Sequence, residues 1–183
     1  DNRQSTIDNC SAWLADFQKR LAEAEIPIRV RREIQAVLID VQKALKEQSK
    51  ESAAASGEAA MDAVAALLKS AQTIGGVTVV VGEVPPAGPD ALRGAIDWVR
   101  NKTTASAVLL ATVSDNKVTL IAGMSKSVVE RGIKAGDLIK EICPLVGGKG
   151  GGRPDMAQGG GSNPGGLESA LQRGREWMAG RLA

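Results

Sequence analysis

Lys149 and Arg153 stand four residues apart in Val146-Gly-Gly-Lys-Gly-Gly-Gly-Arg-Pro-Asp-Met-Ala-Gln-Gly-Gly-Gly161, a stretch with few other side chains. Of the 21 glycines in the chain, 10 fall between Gly147 and Gly166. Glycine loses more conformational entropy on folding than any other residue, so such a stretch is either disordered or shaped for a task that side chains would obstruct. One chemistry fits these residue types. Consecutive N–H groups from Gly147, Gly148, Gly150, Gly151 and Gly152 converge into a nest for an anion, and Lys149 and Arg153 add positive charge. Gln158 closes the candidate set. The competing reading is a flexible linker. Against it stand Lys149, Arg153, Asp155, Met156 and Gln158 where a linker is padded with serine, Pro154 in the middle, and helical patterns close by on both sides. The familiar nucleotide loops do not fit. Lys149 is followed by Gly150 rather than Ser or Thr, and G-x-G-x-x-G fails at Arg153 and again at Asp155. The ligand implied is rich in phosphate and otherwise unspecified.

Other chemistry is excluded by composition. There is no histidine, which removes a Ser-His-Asp triad, a Cys-His pair and any His-ligated metal. The acidic residues are scattered, with no carboxylate pair. Cys10 and Cys143 are too few and too far apart for a disulfide framework or a metal motif, and read as reduced thiols in a reducing compartment. A net charge of +2 on 183 residues argues against a strongly basic nucleic-acid binder. With 43% hydrophobic but only 2% aromatic residues, the core must be aliphatic. Apolar runs stop after about five or six residues, short of a membrane span. No leader is expected, and a start at Asp1 without Met points to a piece of a longer protein.

The elements that must position the loop divide at 73/74. Residues 1–73 read as a helical arm. Leu14, Phe17, Leu21 and Ala24, then Val30, Ile34, Val37, Val41 and Ala44 or Leu45, then Met61, Val64, Leu68 and Ala71 form apolar stripes of amphipathic helices. The break at Glu25-Ile-Pro-Ile28 predicts an antiparallel hairpin, and Ser49, Ser52, Ser56 and Gly57 predict a kink or break near 50–57. Arg29, Arg31 and Arg32, facing Lys19 and Arg20, form a basic tip that serves either as a solvated helix end or as a secondary nucleic-acid contact. Trp13 and Phe17 share a face and read as hairpin core rather than as a base-stacking platform.

Residues 74–183 read as an α/β domain. Val77–Val84 and Ala105–Val113 are β-branched or apolar strands, Ser114–Lys117 is a hairpin turn, and Val118–Met124 returns. Asp90 reads as the cap of a helix from Ala91 to Asn101. Helical pieces follow near Ser125 and up to Ile142, then the Gly-rich loop at 147–161, then a last helix from about Pro164. The order β-α-β-β-α-loop-α predicts an α/β sandwich on a mixed sheet.

The run Gly147-Gly-Lys-Gly-Gly-Gly-Arg-Pro-Asp-Met-Ala-Gln158, with Val118-Thr-Leu-Ile-Ala-Gly-Met-Ser-Lys and Arg131-Gly-Ile-Lys-Ala-Gly136 before it, resembles the C-terminal domain of alanyl-tRNA synthetases. This DHH-associated domain is shared more loosely with free-standing alanyl-tRNA editing proteins and DHH-family phosphoesterases. The match runs roughly from Gly76 to Ala170, and the helical arm resembles the coiled segment that joins this domain to the editing domain. The resemblance implies one or two further short strands near the Gly-rich loop. It implies a tRNA-binding accessory domain that contacts the corner of an alanine-specific tRNA and couples aminoacylation to editing on other domains. The ATP-dependent ligase chemistry would belong to a parent chain; this stretch needs no cofactor. A cytoplasmic location follows from the resemblance, with organellar versions sharing the motifs. Two other readings stand beside it: a module for homodimer formation or protein interaction, and DNA binding by the isolated domain. The missing histidines and ligase motifs predict that the purified chain releases no alanine from mischarged Ala-tRNA and hydrolyses no phosphodiester. Release measured with radiolabelled alanine would overturn this.

Overall fold

The computed structural model describes residues 2–24 and 27–183. The chain forms two compact units, 1–55 and 56–183, and the division lies inside a helix rather than at 73/74.

The first unit holds helix α1 (Asn2–Glu23) and the beginning of α2 (Ile28–Lys69). They form the expected hairpin, although Glu25 and Ile26 of its break lie outside the described residues. Leu14 and Leu21 of α1 bury against Leu38 of α2, with Phe17, Ile34 and Leu45 packed around them. The expected seam is therefore corrected on α2. Val30, Val37 and Val41 are exposed; Ile34 packs toward α1 as expected, joined by Leu38 and Leu45. The segment carries two apolar stripes with helical spacing, and periodicity alone does not choose between them. The stripe that packs presents the longer side chains, which bury more apolar area per residue. Trp13 is corrected too: it is 62% exposed and stacks on Phe17 with centroids 5.3 Å apart. Helix α2 runs through 50–57 without the expected interruption. Its serines and Gly57 are outweighed by the alanines around them, the strongest helix formers.

The second unit is a six-stranded mixed sheet in the order β1-β2-β3-β4-β6-β5. The strands are β1 (Gln72–Ile74), β2 (Val77–Glu83), β3 (Ser106–Ser114), β4 (Lys117–Met124), β5 (Gly148–Gly152) and β6 (Met156–Gly161). Only β2 and β3 run parallel, joined through α3 (Pro89–Lys102). Helix α3 starts two residues earlier than expected. Gly88 occupies the cap position and Pro89 the first turn, where its fixed φ suits a helix and its missing N–H costs nothing. Asp90, the expected cap, sits inside the first turn and pairs with Arg93 at 2.9 Å. The β3–β4 hairpin turns at Asp115 and Asn116, both with positive φ, the signature of a tight two-residue turn.

Each face of the sheet buries its own core. On one side, α5 (Ala135–Ile142) and α6 (Leu167–Leu182) cover Val79, Leu109, Leu120 and Ala157; Leu138, Ile139, Ile142 and Met178 are fully buried there. On the other, α3 and the Ser56–Lys69 end of α2 cover Val80, Val108, Leu110 and Ile121 through Ala60, Val64, Leu92, Ile96 and Val99. This second packing places residues 56–69 with the sheet unit. A short helix, α4 (Lys126–Glu130), follows β4. No described helix is long and apolar enough to cross a membrane.

The seam correction is testable by denaturant unfolding. Leu38→Ala should cost about 2–5 kcal/mol, the usual range for emptying a buried leucine site. Val37→Ala, at an exposed position, should stay within about 0.5 kcal/mol of the parent. The reverse ranking would restore the original seam.

Candidate nucleic-acid interface

The Gly-rich stretch is not a loop. Gly148–Gly152 and Met156–Gly161 form the β5–β6 hairpin at one edge of the sheet, turning at Arg153, Pro154 and Asp155. These two strands are the additional ones implied by the resemblance. A strand turns successive N–H groups to opposite sides, so the expected convergent nest is absent from β5. Gly147 shows the left-handed conformation of a turn, with φ 66°, where it ends the tight turn Cys143–Val146.

The glycines answer to packing. Register places Gly148, Gly150, Gly159, Gly161 and Ala157 on the face that meets α5, and Lys149, Gly151, Gln158, Gly160 and Met156 on the other. On the α5 side there is no room for side chains. A methyl group at Gly150 would come within 2.6 Å of Ile139 Cγ2, and one at Gly159 would overlap the Cys143 sulfur. Burial pushes the Cys143 thiol above its ordinary pKa, and a backbone hydrogen bond from Gly160 opposes this more weakly. It is a neutral packing group.

The other face is open. Helix α3 covers the sheet as far as Met156, and among the described residues no helix core lies over Gly151, Gly160 or Lys149. The result is a flat shelf of nearly bare backbone, rimmed by three polar side chains. Lys149 is exposed and, among the described residues, makes no ion pair. Gln158 is exposed on β6, and its Oε1 accepts from Arg93 Nη2 at 2.7 Å. Arg93 also donates through Nη1 to Asp90 at 2.9 Å. Sequence reading missed Arg93, because no local pattern signals a contact across 65 residues. Sheet order and the seat of α3 create it.

The other candidates sit apart from this group. Arg153 is in the turn, four residues along the strand from Lys149, about 13 Å at roughly 3.3 Å per residue. Its Nε lies 3.7 Å from Asp155 Oδ1, while its side chain stays 81% exposed. An ion pair within the turn is therefore present, but loosely held. In the arm unit, Arg31 Nη2 donates to the Ala24 carbonyl at 2.6 Å and Arg29 Nε to Glu33 at 3.2 Å, so both have local roles; Arg32 is exposed. Among the described residues no three His, Cys, Asp or Glu side chains gather where they could hold a metal.

Gly159 and Gly151, on opposite faces of the hairpin, differ in tolerance. Gly159→Ala should lower stability by about 1–3 kcal/mol, the usual cost of overpacking, while Gly151→Ala should be nearly neutral because only Lys140 Cε comes near, at 3.8 Å. Equal losses in thermal or denaturant unfolding would mean that both faces are closed.

Comparison with known proteins converges on this hairpin domain. The DHHA1 domain model matches residues 76–180. An alanine–tRNA ligase of Rhodopirellula baltica is 45% identical over 117 residues, covering 63% of this chain and 12% of that relative. One from Dechloromonas aromatica is 35% identical over 178 residues, covering 97% of this chain and 20% of that relative. The chain thus spans a fifth or less of the length of these two relatives. Among solved structures, the C-Ala domain from Aquifex aeolicus alanyl-tRNA synthetase matches with a TM-score of 0.55 and 29% identity, over 60% of this chain and 97% of that one. The chain belongs to the DHHA1 domain family, of the kind that alanyl-tRNA synthetases carry at their C-terminus.

Proposed function

We propose that this domain is a tRNA-binding accessory module that holds the corner of an alanine-specific tRNA and helps couple aminoacylation to editing on other parts of a longer ligase. The observation that carries the reading is the open face of the β5–β6 hairpin, where Lys149, Gln158 and Arg93 border bare strand backbone. Folded RNA is recognised by shape, through phosphate and 2′-OH contacts, and needs a surface that the ribose-phosphate chain can approach closely. Glycine strands offer that approach. Lys149 supplies a mobile point charge, Gln158 an amide able to meet a 2′-OH, and Arg93 a planar donor fork. Arg153, at the turn, extends the positive edge. A near-neutral domain can work this way, because phosphate contacts position the RNA without a basic stripe.

A second reading is favoured by the arm unit. Trp13, Ile28, Val30, Val37, Ile39 and Val41 are large exposed apolar residues on its two helices, an arrangement suited to self-association or to a protein partner. In that case the hairpin serves packing alone.

Titration with transcribed alanine tRNA, intact and with altered corner loops, decides between them, with duplex DNA as competitor. The Lys149→Ala/Arg153→Ala double variant should bind tRNA more weakly, and the slope of log K against log salt should shrink by roughly 1–2. Its stability should stay nearly unchanged. An unaltered salt slope, or equal affinity for DNA and for the corner-altered tRNA, would overturn the reading.

A further inference from the structure

Strand β1 starts at Gln72, opposite Val79, while β2 continues past that point to Glu83. Thr78 N donates to Ala105 O at 2.9 Å and Val84 N to Ala111 O at 2.8 Å, so the even-numbered residues of β2 turn their backbone toward β3. Val81 belongs to the alternate set. Its N–H and carbonyl point the other way, beyond the start of β1, where no strand meets them. A notch of about 330 Å³ lies there, between β2, α6 and the C-terminal end of α2. That is the lower end of the size range of small-molecule sites.

The notch has an apolar floor and one cation. Ile74, Val79, Leu67 and Ala179 line it. Arg175 reaches in from α6 and donates from Nη2 to the Val81 carbonyl at 3.0 Å, which anchors the guanidinium beside the outward N–H of the same residue. A guanidinium carries five N–H donors, and this bond uses one of them. Among the described residues no carboxylate lies within ion-pair distance of Arg175. Glu176, which also lines the notch, is engaged elsewhere: Gln172 Nε2 donates to it at 3.3 Å and Arg173 Nη1 lies 4.0 Å from it. Donors beside an apolar floor, with no acid on the cation, match a carboxylate attached to a short hydrocarbon.

We propose that this notch binds a small carboxylate with a short apolar body, the carboxylate accepting from Arg175 and the Val81 N–H and the body lying on Ile74, Val79 and Ala179. Hexanoate is a suitable probe, followed by amide chemical shifts of the full chain, with hexanol and hexylamine as controls. The Val81 and Ala179 amides should shift saturably with hexanoate alone, and Arg175→Gln should weaken the effect at least about tenfold. Ala179→Leu keeps the guanidinium and fills the notch, so it should abolish the shifts even if the arginine variant proves poorly folded. The proposal is overturned if no saturable shift appears up to about 20 mM, if the controls act equally, or if hexanoate titrates both variants like the parent.

Discussion

Direct contact between helix α5 and the backbone of β5 and β6 is the constraint on which the sheet unit depends. Ile139 and Cys143 press on strand positions that have no side chains, and Gly136 lies close to the backbone of Gly152. Helices ordinarily pack on a layer of side chains; here that layer is missing on the strand side. Glycine in a strand costs entropy and weakens the strand on its own. The hairpin is held because α5 buries Leu138, Ile139 and Ile142 against it and the neighbouring strands, and because β6 pairs along β4 from Gly123 to Val118.

That packing is one-sided, and the asymmetry makes the candidate interface. Helices α5 and α6 close one face of the sheet from β2 to the hairpin. On the other face, α3 and the end of α2 close only the strands from β2 to β4 and the margin of β6. Beyond that margin the alternate glycines of the same run, Gly151 and Gly160, leave the opposite side flat. Arg93 bridges the boundary, joining the first turn of α3 to Gln158 on β6. One sequence feature thus serves a tight contact on one face and an accessible surface on the other.

Helix α2 carries a different lesson. It contributes Leu38 to the hairpin of the first unit and Ala60 and Val64 to the core of the second. Single helix-breaking residues were the weaker guide. Serines and a glycine in mid-helix look like a boundary, yet Gly57 sits with only Ala91 Cβ near its missing side chain, at 3.4 Å, where the helix runs close to α3. The helix carries the glycine through this contact instead of ending at it.

Much of the sheet unit was legible in the residues alone. Runs of valine and leucine at 77–84 and 105–113, the Asp-Asn turn at 115 and 116, and the apolar stripe of α3 specify strands, hairpin and helix through period and turn chemistry. The aliphatic core and the lack of histidine chemistry were equally plain from composition. Three things lay beyond it. A run of glycines has no periodicity, so β5 and β6 could not be read as strands; pairing with β4 and pressure from α5 make them so. Two apolar stripes on α2 had equal spacing, and only the position of α1 selected Leu38 over Val37. Arg93 met Gln158 because strand order brought distant residues together. Local pattern determines which elements form, because it reflects the backbone and one face at a time. Which face is covered, and by what, is a property of the assembled layers, and it decided where this domain keeps its open surface.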